Sequence, residues 1–405
     1  MTSITIDRGT DAAARLFSGL EPRPSDPLLG LMTAFRADPR DAKLDLGVGV
    51  YKDEHGKTPV MRAIKAAETR LLADQDSKRY LGGDGDIRFV ELLEPIVFGD
   101  ALGDPARRIG IQTPGGTGAL RLGAELIARA RPNATVWTGD PTWPNHTPIL
   151  RAAGLTVASH PFYDPRARTI RFDEMMLALG KAAPGDVVLL HGCCHNPTGA
   201  DLSIEQWDAV IERIAERDLV AFIDLAYQGL GDGLDADAAG LRKAWSALPE
   251  VLLAYSCDKN FGVYRERTGA MWGRFADADT AAIARGNILA LARTLWSMPP
   301  DHGAAAVRIV LDDPELAADW RTELSAMCER LGGLRQALAS ADPRLAYLAE
   351  QRGMFALLPV DKTGVHAMRD AHGIYMTDGG RINVAGLGID DVAPFVDALR
   401  PHLAP

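Results

Sequence analysis

The sequence predicts an α/β protein: a mostly parallel sheet sandwiched by helices, with a second, smaller α+β domain. Three observations predict it. Apolar, β-branched runs recur at Ala134-Thr135-Val136-Trp137, Asp186-Val187-Val188-Leu189-Leu190, Leu219-Val220-Ala221-Phe222-Ile223 and Val251-Leu252-Leu253-Ala254-Tyr255, and such continuity suits strands buried on both faces. Between two of them Ser203 and Gln206 stand at capping-box spacing ahead of Trp207, Val210, Ile211 and Ile214, which recur at helical spacing, so this segment predicts a βαβ crossover. From Asp313-Pro314 the pattern changes to long helices carrying Leu316, Trp320, Leu324, Met327 and Leu331, interrupted at Gly332-Gly333, and then to short strands near Gly353 to Leu358.

At either end the signal weakens. The stretch before about Leu44 holds Pro22, Pro24, Pro27 and Pro39 and shows no strong periodicity. A chain of 405 residues favours two domains. The expected division is an N-terminal arm and part of the small domain over 1–55, a large domain over 56–310 and a small C-terminal domain over 311–405.

Composition narrows the function. With 47% apolar and 24% charged residues the chain is an ordinary globular sequence. A formal net charge of −10, with no basic tract to offset it, argues against nucleic acid and anionic membranes as partners. No apolar run approaches the roughly eighteen residues a membrane span needs, and Met1 to Leu20 mixes Asp7, Arg8, Asp11 and Arg15 without an apolar core. The expected location is the cytoplasm. Four cysteines, Cys193, Cys194, Cys257 and Cys328, make no disulfide framework and suit a reducing compartment. Cys193 and Cys194 beside His191 and His195 suggest a metal, but neighbours on a strand point to opposite faces and no second pair completes four ligands. No metal site is expected.

In a parallel sheet a ligand sits beyond the carboxyl ends of the strands, and here polar residues collect at those places. Trp137 leads to Asp140-Pro141-Thr142-Trp143-Pro144-Asn145-His146, Leu190 to His195-Asn196-Pro197-Thr198-Gly199, Ile223 to Asp224-Leu225-Ala226-Tyr227, and Tyr255 to Ser256 and Lys259. Thr113-Pro114-Gly115-Gly116-Thr117-Gly118 opens a helix with Leu122, Leu126 and Ile127, and glycines ahead of a helix let its N–H groups approach a phosphate. An amine, an anion, phenol and amide donors, an indole face and a phosphate cradle are together what pyridoxal 5′-phosphate requires. Lys259 supplies an amine for a Schiff base.

Six motifs then stand in order: Gly-Gly-Thr-Gly-Ala-Leu, Pro-Thr-Trp-Pro-Asn-His, His-Asn-Pro-Thr-Gly, Asp-x-Ala-Tyr-Gln-Gly, Ser-x-x-Lys-Asn-Phe-Gly-x-Tyr-x-Glu-Arg and Gly-Arg-Ile-Asn-Val-Ala-Gly. In order and rough spacing the chain resembles the class I aspartate and aromatic aminotransferases, of fold type I among pyridoxal-phosphate enzymes, from about Asp26 to its end. The resemblance implies that Lys259 bonds to the cofactor and shuttles the proton, that Asp224 pairs with its ring nitrogen with His146 behind, and that Tyr227 and Asn196 hold its phenolic oxygen. Trp143 would stack on the ring, and Gly116, Thr117, Ser256 and Arg267 would hold the phosphate with Tyr80 from a partner subunit. Arg381, assisted by Asn196 and the backbone near Gly49, would grip the substrate's α-carboxylate. Arg293 would reach from the partner to the distal carboxylate of dicarboxylic substrates, so a homodimer with shared sites is implied.

Departures refine the substrate. Met298 stands where the aspartate enzymes carry asparagine, and a polarizable thioether suits an aromatic ring. The run Ser297 to Gly303 looks most like the bacterial aromatic-type members, whereas Lys52, Thr58 and Thr117 look like the aspartate type. The implied activity is transfer of the amino group from phenylalanine or tyrosine, with aspartate also accepted, to 2-oxoglutarate by a ping-pong cycle. Alternatives are a mainly aspartate-specific enzyme, a lyase or decarboxylase on the same fold, and a binding protein. The pair of arginines argues for alternating amino acid and dicarboxylic keto acid. Asp258, where the family usually has serine, is expected to face solvent; turned inward it would raise the pKa of the Schiff base.

Overall fold

The structure is a computed structural model that describes residues 16–22 and 27–404. Asp26, where the resemblance begins, and residues 1–15 and 23–25 lie outside the described residues. Seven strands form the main sheet: β1 (Arg108–Pro114), β2 (Thr135–Asp140), β3 (Thr156–Pro161), β4 (Val187–His191), β5 (Val220–Leu225), β6 (Val251–Ser256) and β7 (Thr268–Arg274), in the spatial order β1-β7-β6-β5-β4-β2-β3. All pairings are parallel except the two made by β7.

The apolar runs are strands because both faces are covered. Along β4, Val188 and Leu190 join one hydrophobic core while Val187 and Leu189 join the other, and β6 alternates in the same way through Leu253 and Leu252. The Ile204–Glu216 helix covers the first face through Trp207, Val210, Ile211 and Ile214, its capping box closed by Ser203 and Gln206. The Gly115–Ala130 helix covers the second through Ala119, Leu120, Leu122 and Ile127.

β1 and β7 are strands the apolar pattern did not single out, because glycines break it. A Cβ at Gly110 would lie 2.4 Å from the Trp272 indole nitrogen, and one at Gly269 2.5 Å from the Tyr255 carbonyl oxygen. Close approach there demands glycine.

A third core gathers Leu46 with side chains from Leu334 to Leu403. Two short ladders frame it: Leu44–Asp45 pairs in parallel with Ile374–Tyr375, and Phe355–Leu357 antiparallel with Arg381–Asn383. The Pro314–Ala341 helix joins the cores, placing Trp320, Leu324, Met327 and Leu331 on the sheet side and Leu334 and Leu338 on the other. It runs unbroken through Gly332-Gly333, correcting the expected interruption. Both glycines are exposed, and packing of Leu331 and Leu334 outweighs their helix cost of about 1 kcal/mol each. A helix at Pro27–Ala37, without buried residues, stands where no periodicity was evident. No helix among the described residues is long and apolar enough to cross a membrane.

Candidate active site

Every strand that carries chemistry ends at one edge of the sheet. His191 of β4 and Asp224 of β5 are register partners, so their side chains share a face. The Gly115–Ala130 helix starts directly after β1, and Ser256 closes β6. At this edge Gly49, Gly116, Thr117, Trp143, Asn196, Asp224, Tyr227, Ser256, Lys259, Arg267 and Arg381 line one cavity of about 270 Å³.

The Lys259 amine points over the Tyr227 ring, 5.1 Å from its centroid. Burial lowers its pKa, against the opposing fields of Asp258 and Asp224, so the neutral, nucleophilic amine is easier to reach than in a free lysine. Asp224 is buried, which by itself raises its pKa. The hydrogen bond from His146 Nε2 to its Oδ2, at 2.9 Å, together with the fields of His146, His191 and Lys259, outweighs burial and holds the carboxyl below its usual range. His146 stands behind the cavity wall, its Nδ1 2.8 Å from Thr142 Oγ1. Burial pushes the Tyr227 phenol up, so it stays protonated. Asn196 Nδ2 donates to that phenol at 3.5 Å, and Asn196 Oδ1 is buried without a protein partner.

Arg381 is only 8% exposed. Its Nη2 donates to the Gly47 carbonyl at 2.8 Å, its guanidinium lies 4.7 Å over the Phe355 ring, and its Nε has no protein partner. Burial lowers its pKa, and no carboxylate among the described residues is paired with it. A buried cation aimed into a cavity in this way is arranged for an incoming anion.

A second anion seat lies across the cavity. A Cβ at Gly115 would lie 2.7 Å from Arg267 Nη2, and one at Gly116 3.1 Å from Ser256 Cβ, so glycine lets a guanidinium and a hydroxyl meet the helix N-terminus. Asp258 shares this seat. It is buried and its Oδ2 accepts from Arg267 Nη1, which corrects the expectation that it faces solvent. The turn after β6 points residue 258 inward, with its N–H donating to Ser256 Oγ at 3.2 Å.

Three selected residues stand apart. Tyr80 is 91% exposed, Arg293 is exposed and donates to Ser297 Oγ at 3.1 Å, and Met298 Sδ accepts from the Leu81 N–H at 3.1 Å. None lines the cavity of its own chain. His191, Tyr264 and Phe355 do line it and were not selected from sequence. Tyr264 sits inside the Ser-x-x-Lys motif and its hydroxyl accepts from the Tyr51 N–H at 2.8 Å, so the motif held its signal. Phe355, in a three-residue strand, offered none.

Cys193 and Cys194 follow β4 instead of riding on it, and with φ +51° at Cys194 one atom from each thiol and from Asp237 lie within 4.8 Å of one another. The expected alternation of faces ends with the strand at His191. Asp237 already accepts N–H bonds from Gly229, Gly231 and Asp232 at 2.8, 2.9 and 2.8 Å.

The residues fit pyridoxal 5′-phosphate: an amine whose pKa burial lowers, an ionised carboxylate, an orphaned amide oxygen and a glycine-walled anion seat share one cavity. Residues 41–399 match the family model for aminotransferase class I and II. A tyrosine aminotransferase of Rhizobium meliloti (strain 1021) is 50% identical over 93% of this chain and 98% of its own. A solved aromatic amino acid aminotransferase with 3-indolebutyric acid superposes with a TM-score of 0.92 at 44% identity, over 95% of this chain and 99% of that one. The aromatic-amino-acid aminotransferase from Burkholderia pseudomallei, covalently bound to pyridoxal phosphate, gives 0.92 at 38% identity over 96% and 100%. With fold, cavity and sequence agreeing over nearly its whole length, this chain belongs to the class I and II aminotransferases, enzymes that depend on pyridoxal 5′-phosphate.

Proposed function

We propose that this enzyme moves the amino group of phenylalanine or tyrosine, and also of aspartate, to 2-oxoglutarate by a ping-pong cycle. The observation that carries the reading is Arg381: a buried guanidinium stacked 4.7 Å over Phe355 and facing the cavity that holds the Lys259 amine. It suits a substrate whose α-carboxylate takes the arginine while its amino group meets Lys259. The tyrosine aminotransferase and the structure with 3-indolebutyric acid, an aromatic ring on a carboxylate chain, support an aromatic donor.

When bound, the cofactor supplies an electron sink for the pair released as the substrate's Cα–H bond breaks. Lys259 Nζ would hold the cofactor and, its pKa lowered by burial, take the Cα proton and return it. Asp224, kept ionised beside His146, would hold the ring nitrogen protonated, and Tyr227 and Asn196 would donate to the phenolic oxygen. Trp143 would cover one ring face. Gly116, Thr117, Ser256 and Arg267 would hold the phosphate.

The distal carboxylate of 2-oxoglutarate needs a second cation. Arg293 and Tyr80 lie exposed outside their own chain's cavity, which supports their contribution across a homodimer, in a cytoplasmic enzyme. A panel of amino donors with 2-oxoglutarate, compared by kcat/KM, tests the reading: phenylalanine and tyrosine should lead and aspartate should follow. Release of carbon dioxide or ammonia in step with turnover would instead establish a lyase or decarboxylase.

A further inference from the structure

Asp258 sets a negative charge inside an anion seat. The positive end of the Gly115–Ala130 helix carries no acidic residue in its first turn and no side-chain cap, so its donors and dipole are left for a ligand. Arg267, at φ +55°, brings its guanidinium against Gly115. Into this seat Asp258, only 4% exposed, places one oxygen on Arg267 Nη1 and leaves the other, Oδ1, buried without a partner. The Arg267 guanidinium is thus already countered. A phosphate entering it meets a like charge in a partly desolvated space, where such repulsion is costly.

We propose that Asp258 is a resident counter-ion that competes with the cofactor's phosphate for Arg267, so that this enzyme holds its cofactor more loosely than it would with a neutral side chain at 258. The inference rests on the phosphate placement proposed above. It makes Asp258 a positioning residue, setting cofactor retention through Arg267.

The test uses cofactor-free protein and pyridoxamine 5′-phosphate, which has no aldehyde and so reports the seat without a bond to Lys259. Its dissociation constant, followed by quenching of protein fluorescence, should fall about tenfold or more in Asp258→Asn and Asp258→Ser, about 1.4 kcal/mol. Binding of phosphate-free pyridoxamine should stay unchanged. Asp258→Asn made on top of Arg267→Met should gain less than it does alone, because the competition runs through the guanidinium. Unchanged or weaker binding in both single variants overturns the counter-ion. If Arg267→Met leaves the parent's affinity intact, the phosphate placement itself is wrong; if Arg267→Met weakens binding while the Asp258 variants fail to tighten it, the counter-ion alone falls.

Discussion

His146 Nε2 and Asp224 Oδ2 meet at 2.9 Å with neither side chain open to solvent beyond 8%. Thr142 holds the other ring nitrogen, so the imidazole is fixed in the orientation that keeps Asp224 ionised. Strand β5 alone would bury this carboxylate. Its charge is sustained from a different segment, the first residue of the His146–Ala152 helix after β2.

Removing that support gives a pH-dependent prediction. In the parent, the depressed pKa of Asp224 contributes stability that is complete above the ordinary 3.8 and lost as pH falls through the folded value. In His146→Ala burial is opposed only by the smaller fields of His191 and Lys259 and the folded pKa rises, so the variant is most destabilised near neutrality, by about 1–3 kcal/mol. Urea unfolding of the cofactor-free proteins should show the gap between parent and variant closing as pH is lowered toward 4. A gap independent of pH would mean that His146 acts by packing alone.

Lys259 carries the opposite sign. Its pKa lies below the ordinary 10.5, so at neutral pH the unfolded chain binds a proton more readily than the folded one, and burial of the amine costs stability. Cofactor-free Lys259→Met should melt above the parent at neutral pH, and the difference should vanish as pH approaches 10.5. Activity should be abolished. Equal melting at every pH would place the ammonium in contact with solvent.

Arg381→Ala removes the cation proposed for the substrate carboxylate. Binding of a non-reactive aromatic carboxylate such as 3-phenylpropionate should weaken by about 1.5–3 kcal/mol, the usual scale for hydrogen bonds to charged groups. Calorimetry reads this directly. Undiminished affinity would assign Arg381 to the Gly47 and Phe355 contacts only.

For Arg293, the informative quantity is a ratio. Arg293→Leu should lower kcat/KM for aspartate and 2-oxoglutarate roughly 10²-fold, the order expected when a charged partner of a buried anion is lost, and should spare aromatic half-reactions. Equal losses for both classes would point to a structural role through Ser297. Sedimentation of the active species should give a dimer, and active monomers would exclude a contribution from the partner.

Much of the site was legible because a parallel sheet delivers its strand ends to one edge. Asn196, Asp224, Tyr227 and Lys259 each follow a continuous apolar run, and topology alone brings such positions together. Phe355 was not legible as a cavity wall, since its place depends on how the short ladder of Phe355–Leu357 with Arg381–Asn383 meets the sheet edge. The strands β1 and β7 were hidden by glycines required for contact with Trp272 and Tyr255.

By itself the sequence determined the four adjacent strands β6, β5, β4 and β2 of the sheet, its crossover helix and the set of residues able to hold a phosphorylated aldehyde, because burial periodicity and chemical type are written in neighbouring letters. Tertiary structure alone decided that Asp258 turns inward onto Arg267, that Gly332 and Gly333 stay helical, and that Cys193 and Cys194 face the same way. In each case a contact made by residues distant in the chain, or a single left-handed backbone angle, outweighed the local preference.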